Sequence, residues 1–517
     1  MKAFNIICAM VLATLPCGAP LHADTSHART LVMQAMAAMG NGHDLHRIAT
    51  IRSSAISASH DIVEFDHADA PYFFVGASRV VVIDDMQHDR RLTEETAFDV
   101  SDATPPRTAR TLLSAHAQQI DITLAGQPTV TVRREAPPSW QTDEPIRVLL
   151  LAERASDLTQ ESDAALHGIP QHVLRFHQGG FPVRLFLDAD TLLPSAIETT
   201  LALHRAISGD IAWNAWGDLL DRTELMNYSL VDGVRYPMQS DLLRNGVLLH
   251  SVARAEVHID IVTPADQAFA MAGAGTPTPT PLYADDLALG QPVAGAPDPK
   301  KPIAEIAPGI VQIPNSWYST IVRQDDGVVI IDAPISAGYS KRVLDEAARR
   351  FPGLPVKAVI VSTAFYWHMA GVREYAARGI PIYTRDRNVT VLRALLSAPH
   401  KLFPDDLARA PRAFDIYSVS APTTIGHGTN SLVVMPVREG EQPMLMTWIA
   451  SAHLLHTAEM VQPLGPHGAL LYPEALLELD RSVDTAKIPT AGLRMIGMHM
   501  SPTPWTELTK TLSAANR

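Results

Sequence analysis

Residues 273–302 read GAGTPTPTPLYADDLALGQPVAGAPDPKKP, a stretch rich in Pro, Gly and Ala that separates two halves of different texture. Such a composition neither continues a helix nor fills a sheet, so it predicts an extended, semi-rigid spacer between domains. With 517 residues, more than one core is expected in any case. The boundaries read from this are a leader over 1–23, a β-rich domain over 24–272, a linker over 273–303 and an α/β domain over 304–517.

The leader resembles a secretory signal. Lys2 gives a positive start, residues 4–15 are apolar, and Pro16 to Pro20 break the run before Leu21-His22-Ala23. The apolar run is short for a membrane span. Cys8 and Cys17 both lie inside it, so cleavage after Ala23 leaves a chain with no thiol. Disulfides, thiolate ligands and cysteine nucleophiles then drop out together, and any metal site must use His and carboxylates. A periplasmic or secreted location follows, with no membrane span after cleavage.

Net charge is −13, and no Lys/Arg cluster reverses it locally, which argues against nucleic-acid binding. The expected partner is instead a small molecule, a lipid or a peptide.

In the first half, Leu31, Met33, Ala35, Met36 and Met39 recur near helical spacing until Gly40-Asn41-Gly42 stops them. Short β-type runs follow at 72–75, 79–83, 146–151, 173–176 and 183–187. Residues 184–188 and 191–194 read as strand, turn and next strand. A meander over 226–230, 235–242 and 247–261, turning at Asp232-Gly233, closes the domain. The segments LDADTLLP (187–194) and YSLVDGVRYP (228–237) make this ordering similar to the LolA-like lipoprotein-carrier fold. That resemblance implies an α+β domain, a curved antiparallel sheet crossed by a helix. It suggests either a cleft for a lipid or peptide or a passive domain that packs on its neighbour.

In the second half, runs at 310–313, 318–323 and 328–331 alternate with helical spacing over 340–351 and 372–378. A buried strand is expected at 356–362, and Asp325-Asp326-Gly327 supplies a hairpin turn. The segments VVIIDAPISAGYSKRVLDEA (328–347) and KAVIVSTAFYWHMAGVREYAARGIPIY (357–383) resemble the opening of a metallo-β-lactamase domain, which implies an αββα sandwich. In that family a His-x-His-x-Asp-His loop follows the buried strand and aims imidazoles and a carboxylate at metal. The bound metal lowers the pKa of water to about 7.

Aligned on His-Met-Ala-Gly, this chain keeps only His368. Thr363, Phe365 and Trp367 occupy the other ligand positions. The resemblance implies two further metal histidines, His427 in TIGHGTNSLVVMP and His499 in RMIGMHMSPTPW. It also implies Asp332 as the residue that orients the loop. No carboxylate stands where the bridging Asp should follow residues 444–449, within MLMTWIASAH. His368, His427 and His499 suffice for one zinc, iron or manganese; the alternative is a metal-free, filled pocket. His453, His456 and Glu459 form a weaker replacement set, the two histidines sharing a helical face at i, i+3. Ser362 and Ser451 lack an identifiable base, and His400 and His467 are assigned no role.

Two functions remain open on this reading. One is an exported hydrolase of an ester, amide or phosphoester with a degenerate, single-metal site. The other is a non-catalytic envelope protein that binds a lipid, peptide or protein.

Overall fold

The computed structural model describes residues 25–61, 71–99, 107–115, 117–271, 276–277, 281–296, 298, 300–437, 443–463, 470 and 473–515. The expected leader, with Cys8 and Cys17, lies outside them, as does His467.

Helix α1 (Thr25–Gly40) buries Leu31, Val32, Ala35, Met36 and Met39, four of which the spacing marked for its apolar stripe. Asn41 and Gly42 leave it with positive φ, 48° and 96°, the left-handed geometry that ends helices. A fifteen-stranded sheet follows, antiparallel except where Thr276–Pro277 pairs with Val132–Arg133. Its central members are Thr50–Asp61, Val247–Asp260, Val234–Arg244 and Leu219–Val231. α1 and α2 (Pro145–Arg154) cover one face, sharing a core with Leu174, Leu185, Ile197 and Tyr236.

Two local expectations give way here. Residues 146–151 read as a strand but form α2: Pro145 opens it, and the Glu144 carboxylate accepts from the Ile146 and Arg147 amides. A capped first turn with proline outweighs a β-type apolar run. Residues 191–193 are turn, with Asp188 accepting from the Thr191 amide, and the next strand is Pro194–Leu201.

The second half holds a seven-stranded and a six-stranded sheet. In the first, Ser319–Arg323, Val328–Ile331, Val356–Val361 and Ile382–Arg385 are neighbours, parallel from Val328–Ile331 onward. The second runs from Thr423–Ile425 through Leu445–Ile449, Leu454–His456 and Arg494–Gly497 to Met500–Pro504. One buried cluster draws on both sheets: Val322, Val329, Ile331 and Ile360 from one, and Val434, Leu445, Leu454 and Ile496 from the other. Residues on the far sides pack against helices, among them α4 (Ala337–Arg350), whose buried face is Tyr339, Val343, Leu344 and Ala347.

The spacer differs from its expectation over the residues described. Ala284, Leu287 and Val293 are buried, and Ala294 bridges to Ile207. These residues join a single core that also contains Ile211 and Trp213 of α3 (Ser208–Asn214), together with Tyr339 and Tyr366. The prolines predict an extended spacer, but its scattered apolar residues are buried against both halves.

Candidate metal centre

Val328–Ile331 is buried throughout and delivers Asp332 at its C-terminal end. Asp332 takes φ 67°, a conformation Asp tolerates better than bulkier residues, and turns the chain out of the sheet. Its carboxylate fastens the neighbouring strand end: Oδ1 accepts from the Ser362 amide (2.8 Å) and Oδ2 from the Ser362 hydroxyl (2.9 Å). His456 Nε2 lies 3.5 Å from the same Oδ2. His456 Nδ1 accepts from the Ala458 amide, so Nε2 carries the ring hydrogen and faces the carboxylate. Burial lowers His456 to about 3, which keeps it neutral. Burial pushes Asp332 up to about 7 against the two Ser362 hydrogen bonds, and the Glu459 charge adds to the rise.

The rebuilt loop follows. Thr363 Oγ1 accepts from the Phe365 amide, and a single turn, α5 (Tyr366–Met369), carries His368 inward. The Phe365 and Trp317 rings meet the His368 ring edge-on at 5.9 and 6.2 Å. Trp367 points elsewhere, its indole N–H donating to the Ser208 carbonyl at 2.8 Å. The three positions where the resemblance expects ligands therefore hold a turn hydroxyl, a packing ring and a domain contact.

The remaining wall comes from Leu454–His456 and its parallel partner Arg494–Gly497. Past the first strand, the Thr457 amide donates to Ile496 O, Ala458 adopts φ 51°, and the Met498 amide donates to Ala458 O. A Cβ on Gly497 would stand 2.8 Å from Ala458 O, so this close approach requires glycine. Glu459 and His499 thereby emerge side by side.

Here three groups converge. Glu459 Oε1 lies 2.8 Å from His499 Nε2, and Oε2 lies 2.5 Å from His368 Nε2. Gln462 Nε2 also donates to Oε1, at 3.2 Å. One ligand-type atom from each of His368, Glu459 and His499 lies within 4.8 Å of the others, and their side chains are 1%, 1% and 6% exposed. Burial alone would raise Glu459. The His368 charge and hydrogen bonds from both imidazoles instead hold it well below the usual carboxylate range. Burial lowers His368, opposed in part by Glu459. His368 Nδ1 is buried without a hydrogen-bond partner among the described residues.

Other expected residues lie apart. His427 is 77% exposed and faces Asp326 at 3.9 Å, at the opposite end of Val328–Ile331 from Asp332. Four strand residues make that separation roughly 13 Å. The three-histidine set is therefore not assembled. His453 and His456 share no helix, since Leu454–His456 is a strand. His453, at φ 53°, caps a short turn and contacts Ala491 O through Nε2. Ser362 donates to the Asp332 carboxylate and Ser451 to the Asn430 side-chain carbonyl, so neither hydroxyl is hydrogen-bonded to a histidine.

The sequence grouped Glu459 with His453 and His456, whereas the structure gives it His368 and His499 as partners. A carboxylate was sought after 444–449, but the chain adds the strand Leu454–His456 before presenting one. Two buried leucines followed closely by an acid were the available signal.

No protein-family model matches the chain, and no curated protein matches it. Among solved structures it is similar to a metallo-beta-lactamase from Pontibacter korlensis, at 16% identity and TM-score 0.32. That match covers 42% of this chain and 99% of the other. It is also similar to TMB-1, at 16% identity and TM-score 0.31, covering 42% of this chain and 96% of the other.

Proposed function

We propose that this chain is an exported, metallo-β-lactamase-type hydrolase that works with one metal ion. His368, His499 and Glu459 are its ligands, and its substrate is an ester, amide or phosphoester. One observation carries the reading: Glu459 stands between His368 and His499 and touches both. Two imidazoles and one carboxylate are a zinc-binding set used by hydrolases, and the buried anion compensates a cation. Support for the αββα domain comes from the two facing sheets flanked by helices and from the segments quoted above.

In this reading the metal supplies a Lewis acid and an acidified water. Everything else falls to the chain. Gln462 holds one Glu459 oxygen, and Asp332 ties the ends of Val328–Ile331 and Val356–Val361 together behind the site. The Phe365 and Trp317 rings pack edge-on against His368. With Thr363, Phe365 and Trp367 all diverted, no second ligand set exists among the described residues, which limits the site to one ion.

A second reading, a metal-free envelope binding protein, is favoured by the partnerless His368 Nδ1. A ligating histidine ordinarily donates its other N–H to an acceptor. Elemental analysis of full-length protein purified without chelators separates the two. About one zinc, iron or manganese per chain, lost in Glu459→Gln, is the expected result and justifies a hydrolase screen. No metal in either protein after incubation with zinc would sink the metallohydrolase reading.

A further inference from the structure

The rebuilt loop carries two large aromatic residues immediately before His368, and both are held by the other half of the chain. Trp367 Nε1 donates to the Ser208 carbonyl at the start of α3. Tyr366 O–H lies 3.1 Å from Tyr72 O–H, and its ring meets Trp213 and Trp216 at 5.4 and 5.3 Å. Ser208 is itself fixed, because its amide donates to Ala294 O (2.9 Å). The preceding Val293 amide donates to Ser316 Oγ at 3.1 Å. Ser316 adjoins Trp317, whose ring returns to Trp367 at 6.5 Å and to His368 at 6.2 Å. The contacts form a closed circuit through both halves of the chain, and His368 sits on it.

On its other side α5 is tied to the loop after Asp332. The Ala333 amide donates to His368 O (3.2 Å), the Ile335 amide to Trp367 O (3.1 Å) and the Gly371 amide to Ala333 O (2.7 Å). A Cβ on Gly371 would stand 2.5 Å from Ser336 O, so this packing leaves the turn little freedom. A four-residue turn makes few hydrogen bonds of its own and gains its stability from such outside contacts.

We propose that Trp367 is a positioning residue: by docking on the Ser208 carbonyl, it lets the N-terminal half set where the His368 imidazole points. Through α3 the N-terminal half is then part of the site and not a passive appendage. At the position where the resemblance expects a metal-binding Asp, the chain has exchanged a ligand for a domain anchor. Groups that orient a ligand usually change metal affinity tenfold or more when removed.

The test uses full-length protein and three forms: wild type, Trp367→Phe and Asp218→Ala. Trp367→Phe keeps a ring but removes the indole N–H. Asp218→Ala loosens the same domain interface elsewhere, where Asp218 accepts from the Lys401 and Leu402 amides. Two quantities are measured, zinc affinity by chelator competition and the ring-nitrogen NMR signals of His368 in histidine-labelled, zinc-free protein. The expected result is zinc affinity about tenfold weaker and a displaced His368 signal in Trp367→Phe, with neither change in Asp218→Ala. Unchanged affinity and signals in Trp367→Phe would overturn the proposal, as would equal effects from Asp218→Ala. Only the affinity measurement rests on the metal reading. If wild type takes up no zinc, that reading fails, and the His368 signals alone decide the positioning role.

Discussion

Each half of the molecule buries a carboxylate against two nitrogen partners, and the partners differ. In the N-terminal half Asp84 is 4% exposed, with Arg91 Nε at 2.9 Å and an Arg147 guanidinium nitrogen at 3.1 Å. The arginines reach on to Asp143 and Asp89 and lie over the Trp140 ring. In the C-terminal half Glu459 is 1% exposed between His368 and His499. A guanidinium offers only donors and does not lose its proton, so the arginines of the Asp84 cluster cannot serve as metal ligands. An imidazole can give up its proton and present a lone pair, so the Glu459 cluster can exchange hydrogen bonds for a cation. Burial is shared; the chemistry of the partner decides the use.

Asp332 sharpens the contrast, because it is a buried carboxylate that faces no cation and is pushed up to about 7. A folded-state pKa raised above the unfolded value of about 3.9 means the folded chain holds that proton more tightly. Its stabilisation is complete below about pH 4 and is lost as pH rises through about 7. Asp332→Asn removes this dependence. Between pH 4 and 7, wild type should lose up to about 4 kcal/mol relative to the variant in urea unfolding. Parallel curves for the two proteins would show that burial alone does not set this group.

The arginine network should respond to the loss of a partner. Arg147→Met leaves Asp84 and Asp89 without that guanidinium and should cost about 3 kcal/mol in chemical denaturation, with metal content untouched. A wild-type midpoint would break the comparison, since the buried ion pairs would then carry no stability. The smallest effect is expected at His427, exposed and remote from the site. His427→Ala should change stability by less than about 0.5 kcal/mol and leave metal content alone. Loss of metal there would restore the three-histidine set.

Much of the fold was legible. The stripe of α1 apart from the exposed Met33, the hairpin turn at Asp325-Asp326-Gly327 and the buried runs at 310–313 and 328–331 appear where periodicity placed them. The helix α2 was not, because its apolar run suits a strand equally well and only the Glu144-Pro145 cap distinguishes them. In the site, His368 and His499 were marked by resemblance. His427 was marked by the same reasoning but stands at the wrong end of a strand, which motif matching does not register.

The sequence by itself determined the available chemistry: beyond Cys8 and Cys17 it offers histidines and carboxylates but no thiols, and a loop in which Thr363, Phe365 and Trp367 replace ligands. These follow from residue identity, which no fold can alter. Tertiary structure decided which of those groups meet. Glu459 joins His368 and His499 because an added strand, a left-handed Ala458 and a glycine at 497 bring three distant segments within a few ångströms. Tertiary structure also turned Trp367 toward Ser208, 159 residues away in the chain. Side-chain identity is local, whereas a site is a set of distances, and those are set by packing between strands and domains that spacing along the chain does not encode.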